Sequence, residues 1–153
     1  MAILKLFAVS AMAVLFLAGC EPTSNATTTK PSGPAASGLT VERAQGELTT
    51  FLIERSKAEI YAAGCFRQGV GLRETSRDIA LIRFFAQMRA RGYTEAQLQA
   101  ASKAITPSAA LGQRAVNDMI AMGVRKGDTA SLCNAAQKEI ASRTLTGSMI
   151  YNR

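Results

Sequence analysis

From Leu39 to the C-terminus the apolar residues recur every three or four positions rather than alternating, and that spacing commits the chain to helices. Nothing upstream can add to their core. The stretch 21–38 reads EPTSNATTTKPSGPAASG, without one large aliphatic or aromatic side chain, so it has no apolar surface to offset the entropy of ordering. Aromatic residues are only 6% of the chain and Trp is absent, so the core must be small aliphatic groups between closely packed helices. The expected fold is all-α, a small bundle of about five helices with one disulfide.

Local signals place the helices. Thr40 is set to cap a first helix with Glu42 in its first turn and Val41, Ala44, Leu48, Phe51, Leu52 and Ile60 on one face before Gly64. A second helix starts near Thr75 or Ser76 and carries Ile79, Ile82, Phe85 and Met88, with Leu81 and Phe84 widening the stripe until Gly92. That width predicts burial on more than one side. Tyr93-Thr94-Glu95-Ala96-Gln97-Leu98 spells a capping box between Thr94 and Gln97, with Tyr93 and Leu98 in the staple positions, so a third helix runs from Thr94 to about Ile105. Thr106 and Pro107 suit the start of a fourth helix bearing Leu111, Val116, Met119 and Ile120 and ending near Gly123. Asp128 would cap a fifth carrying Leu132, Cys133, Ala136 and Ile140, and the apolar tail from Leu145 to Tyr151 can fold back. Gly69-Val70-Gly71 does not complete GxGxxG, and with no strand pattern before it the segment reads as an interhelical loop. Met119 and Met122 read as core filler.

The N-terminus is organised differently. One lysine, Lys5, precedes an apolar run from Leu6 to Phe16, the layout of a secretory signal, and the run ends in Leu17-Ala18-Gly19-Cys20. These four residues closely resemble the lipobox of bacterial lipoproteins. The resemblance implies that the Cys20 thiol receives a diacylglyceryl group, that a lipoprotein signal peptidase cuts before Cys20, and that several acyl chains then anchor the protein stably. Leu6 to Gly19 is shorter than the roughly 20 residues a retained spanning helix needs. Glu21 follows the cysteine where the inner-membrane retention signal of enteric bacteria has aspartate, which points to the outer membrane, facing the periplasm. The expected organisation is a cleaved signal over 1–19, a lipidated cysteine and flexible tether over 20–38, and a helical domain over 39–153.

With Cys20 committed to lipid, Cys65 and Cys133 remain as a pair in an oxidising compartment. A structural disulfide is the economical reading; a redox-active pair is the alternative, without the CxxC spacing such pairs use. The chain has no histidine, which removes Ser-His-Asp and Cys-His catalysis and imidazole-ligated zinc or haem. A carboxylate pair or a lysine-activated serine is left, and the acids of the folded part mostly fall on expected polar faces or in first turns. No catalytic residue, cofactor or metal site is expected.

The formal charge is +7, and the chain stays basic after Lys5 is lost with the signal. In the envelope the common polyanions are lipid head groups, and nucleic acid is not an expected partner. Arg73, Arg77, Arg83, Arg89 and Arg91 concentrate positive charge around the second helix, with Glu74 and Asp78 beside them. These five arginines are the candidate anionic contact, Arg73 and Arg77 sharing a face by their spacing.

Gly127-Asp128-Thr129-Ala130-Ser131-Leu132-Cys133-Asn134, Lys138-Glu139-Ile140-Ala141 and Gly147-Ser148-Met149-Ile150, taken with Cys65-Phe66 and the Gly92-Tyr93-Thr94 helix start, resemble an uncharacterised family of small exported alphaproteobacterial proteins. The similarity spans roughly Ala58 to Arg153. It implies a helical domain with Cys65 bonded to Cys133 and transfers no activity. Many members carry simple secretory signals; here a lipobox and tether take that place. The leading expectation is a non-enzymatic, lipid-anchored accessory protein that binds another envelope component, either a protein or anionic lipid head groups. A periplasmic stress or chaperone-like protein and a cell-wall-acting enzyme are the alternatives.

Overall fold

A computed structural model describes residues 38–105 and 108–153. The lipobox, Cys20, the tether as far as residue 37, and the Thr106-Pro107 helix start lie outside the described residues. Among the described residues six α-helices and one short antiparallel ribbon follow in chain order: α1 Val41–Gly64, β1 Val70–Leu72, α2 Arg77–Ala90, α3 Glu95–Lys103, α4 Ser108–Ala121, α5 Thr129–Ser142, α6 Leu145–Met149 and β2 Ile150–Asn152. A single 3-10 turn, Phe66–Gln68, links α1 to β1.

The starts follow the local chemistry of the sequence. The hydroxyls of Thr40 and Ser76 accept from the backbone N–H of Arg43 and Ile79, and the Asp128 carboxylate accepts from that of Ser131. At α3 the full capping box is present, and both staple residues, Tyr93 and Leu98, are buried.

The helix α1 is the axis of the domain, packed against α3, α4, α5, α6 and β1. Neighbours on several sides widen its buried arc beyond one amphipathic stripe, so Arg55 and Lys57 are buried along with Ala44, Leu48, Phe51, Ala58 and Tyr61. Two apolar clusters result. One joins Ala58, Tyr61 and Cys65 to Met119, Cys133, Ala136 and Ile150; the other joins Ala44 to Met88, Tyr93, Leu98 and Ala101. Alanines sit fully buried on α1, α3, α4 and α5, which lets the helix backbones approach closely. The Cys65–Cys133 disulfide ties the end of α1 to α5, with a Cα–Cα separation of 5.5 Å.

Three expectations are corrected. The glycine-rich segment after Cys65 is a strand: β1 pairs antiparallel with β2, Val70 opposite Asn152 and Leu72 opposite Ile150. Gly69 closes the preceding turn in the left-handed region at φ 85°, where a side chain is disfavoured. At Gly71 a β-carbon would press to 3.0 Å on the Tyr151 ring that lies across the ribbon. Neither requirement is visible until the tail arrives from the far end of the chain. The second correction concerns α2. It does not turn apolar residues inward on several sides; Met88 is its one fully buried residue, while Ile79 and Ile82 are 43% and 64% exposed. The third concerns α4: Leu111 and Met119 face the core, but Val116 and Ile120 are exposed, and so is Met122 just past its end, which therefore does not fill the core as Met119 does.

Candidate binding groove

Because α2 is held to α1 mainly at its ends and by one aromatic stack, a groove of about 1130 Å³ opens between them, closed at one side by α6. Phe51 of α1 and Phe84 of α2 stack at 4.3 Å between ring centroids and, with Leu145 and Met149 of α6, give it an apolar floor. Five guanidinium groups line it, those of Arg43, Arg55, Arg73, Arg83 and Arg91, against the two carboxylates of Glu47 and Glu74. The lining therefore keeps a net positive charge at neutral pH.

The charged groups fall into two clusters. At the end where α1 begins and α2 finishes, Glu47 accepts from Arg43 at 3.3 Å, from the Tyr93 hydroxyl at 2.9 Å and from Arg91. Burial opposes ionisation there, but the Tyr93, Arg91 and Arg43 contacts outweigh it and hold the Glu47 carboxyl below its ordinary range. At the other end Arg83 pairs with Glu74 at 3.1 Å, and Glu74 also accepts from the Ser76 N–H at 3.1 Å. Arg73 sits with its guanidinium 5.9 Å from the Tyr151 ring centre, and among the described residues no carboxylate lies within ion-pair distance of it. Arg55, buried in the groove wall, and Arg77, outside the groove, both donate to Glu59, at 2.9 and 3.1 Å, tying the start of α2 to α1. Burial would raise the Glu59 carboxyl, yet the two arginines lower it overall.

The five arginines singled out from the sequence thus separate. Arg73, Arg83 and Arg91 line the groove; Arg77 is held by Glu59, and Arg89 pairs with Glu95 at 2.8 Å on the outer surface. Arg73 and Arg77 do not share a helix face, since Arg73 precedes α2. Arg43, Arg55 and the Phe51–Phe84 floor were not singled out, because only the approach of α1 to α2 brings them together. Cys65 and Cys133 are bonded and buried.

A second polar cluster sits beneath α6. Glu54 pairs with Lys57 at 2.8 Å and accepts from the Thr146 hydroxyl; Glu139, only 7% exposed, accepts from the Thr144 hydroxyl. The expectation that acids lie on solvated faces fails for Glu139, which the fold of the tail covers. Near them the Tyr61 hydroxyl is buried, with no hydrogen-bond partner among the described residues. Burial foremost, and then the charges of Glu139 and Glu54, push its pKa up from 10.0 to about 12.

This fixes the sign of an alkaline effect. Below pH 10 the phenol is protonated in both states and its titration has no effect. Between pH 10 and 12 the unfolded chain ionises it while the fold resists, so stability falls as pH rises, by about 3 kcal/mol at about 1.4 kcal/mol per unit. Urea unfolding across pH 9–12 should show Tyr61→Phe losing less stability than wild type. Near pH 7 that variant should be neutral or slightly stabilised, because a buried unpaired hydroxyl is removed. Equal alkaline losses in the two proteins would contradict this placement of the phenol.

Fold and groove together define a small, disulfide-stapled helical domain built round a central helix, with a basic, apolar-floored groove on one side. The model of the DUF5333 family, a family of unknown function, matches residues 72–151, more than half of the chain, and the protein belongs to that family. The match runs from the end of β1 to β2 and so contains Cys133 but neither Cys65 nor α1. No curated protein and no solved structure matches the chain.

Proposed function

We propose that the protein is a non-enzymatic, lipid-anchored module of the bacterial envelope, held through Cys20 and using the α1/α2 groove to bind another envelope component. The observation that carries the binding half is the groove itself, an apolar floor between guanidinium groups that are mostly exposed. Such a surface suits recognition better than turnover. It has no histidine and no cysteine thiol, and its carboxylates are engaged by arginines. The anchoring half is supported by the lipobox residues Leu17-Ala18-Gly19-Cys20 and by the tether that follows. In this reading the acyl chains insert into the outer membrane, the protein faces the periplasm, and the tether holds the domain clear of the lipid surface.

Metabolic labelling with a fatty acid tests the anchor. Wild-type protein should take up label and Cys20→Ala should take up none, remaining unprocessed; an unlabelled wild-type protein overturns the anchor. For the groove, a photo-reactive amino acid in place of Gln87 should trap one discrete partner in intact cells, and the same group in place of Arg114 should not. Equal trapping from both positions, or none from Gln87, removes the groove as the binding face.

A further inference from the structure

We infer that the groove's partner is a peptide segment in which two acidic side chains flank an apolar one, read by the two arginine clusters and the aromatic floor between them. This rests on the groove being the binding face and adds the chemistry of what it binds. The two arginine clusters are set apart along the groove. Arg83 in the middle of α2 and Arg91 at its C-terminal cap are eight residues apart, about 12 Å along the axis. Between the two clusters opens the apolar floor, where Phe84, next to Arg83, stacks on Phe51 of α1.

A phospholipid with a single phosphate carries its charge at one end and would leave the excess positive charge of one cluster unmatched. A peptide satisfies both. In an extended chain about 12 Å spans roughly four residues, so acids at i and i+4 reach the two clusters while residue i+2, on the same side, meets the Phe51–Phe84 floor. The existing ion pairs do not obstruct this. Arg83 and Arg91 keep 69% and 52% of their side-chain surface exposed. Glu74 and Glu47 keep only 21% and 25%, so these pairs stay in place while the exposed edge of each guanidinium takes a second carboxylate.

The test uses the full chain in neutral detergent and a fluorescein-labelled peptide, Gly-Glu-Ser-Phe-Ser-Glu-Gly, read by anisotropy up to about 1 mM. Saturable binding is expected, weakened at least about tenfold when both glutamates are replaced by glutamine or lysine, and weakened when the phenylalanine is replaced by serine. Arg83→Glu and Arg91→Glu should each cause a similar loss while keeping the wild-type far-UV CD, and Arg114→Glu should cause none. If either charge-reversed chain fails to fold, the peptide series on wild type decides alone. Three results overturn the inference: equal binding of the acidic and lysine peptides, no saturable binding, or recruitment to phosphatidylglycerol vesicles through these arginines when the peptide does not bind. Groove-dependent cross-linking at Gln87 without peptide binding would mean that the partner class is wrong and the groove reading stands. Failure of both sinks both.

Discussion

Gly147→Ala should lower the stability of the domain by about 3 kcal/mol or more, the largest effect expected of any single added methyl group here. A β-carbon at Gly147 would stand 1.9 Å from the carbonyl oxygen of Glu139 and 2.4 Å from its carbonyl carbon. Those atoms belong to the backbone of α5, so no side chain can swing aside to make room. The helix α6 must lift away instead. With it go the Thr146 contact to Glu54 and the register of β2 against β1, which is fixed only a few residues further on. Urea unfolding reads the loss directly, and far-UV CD should stay largely helical because α1 to α5 do not depend on this contact for their own hydrogen bonds. Gly112→Ala on α4 is the matched control, since nothing lies within 4 Å of its would-be β-carbon. It should be neutral or stabilising by up to about 1 kcal/mol through helix propensity. A Gly147→Ala variant within about 1 kcal/mol of wild type would mean that α6 does not seat on α5 as described.

Cys133→Ala should cost about 4 kcal/mol in the chain-entropy account of cross-links, for bonded cysteines 68 residues apart. The bond joins the end of the central helix to α5 within the cluster that also holds Tyr61, Met119 and Ile150. For a domain whose total stability is on the order of 5–15 kcal/mol, that is a large share. Thermal melting should move down by roughly 10 °C or more, with far-UV CD still helical at low temperature. Reduction of the wild-type protein should reproduce the shift. An unchanged melt after complete reduction would show that the cross-link does not carry this load.

Elements set by contacts within one turn were legible in the sequence. Thr40, Ser76, Thr94 and Asp128 start their helices, as side-chain oxygens placed to meet the free N–H groups of a first turn must. The cysteine pairing followed from counting. What could not be read were features made by residues far apart in the chain. The strand β1 is only three residues long and exists because the tail returns some 80 positions later, so no local periodicity announces it. The exposure of Ile79 and Ile82 is of the same kind: the apolar width of α2 promised burial, but the neighbours that would cover its outer side are not there among the described residues. Charge in the interior was hidden for the converse reason. Arg55, Lys57 and Glu139 look like solvated positions until α1 is found at the centre of the bundle and the tail is found over α5. The arginines near α2 were visible as a cluster, yet which of them line the groove depended on another helix, whose Glu47 holds Arg91 at the groove and whose Glu59 holds Arg77 outside it.

In the proposed reading the three cysteines divide their work, Cys20 taking lipid while Cys65 and Cys133 bond within one chain. Mass-spectrometric peptide mapping of the protein from whole envelopes, without reduction, reads all three at once. The expected map has an N-terminal peptide that begins at Cys20 and carries acyl mass, and a Cys65 peptide joined to a Cys133 peptide of the same chain. A peptide that runs unbroken from the signal through an unmodified Cys20, or Cys65 and Cys133 found as free thiols or bonded between chains, would contradict it.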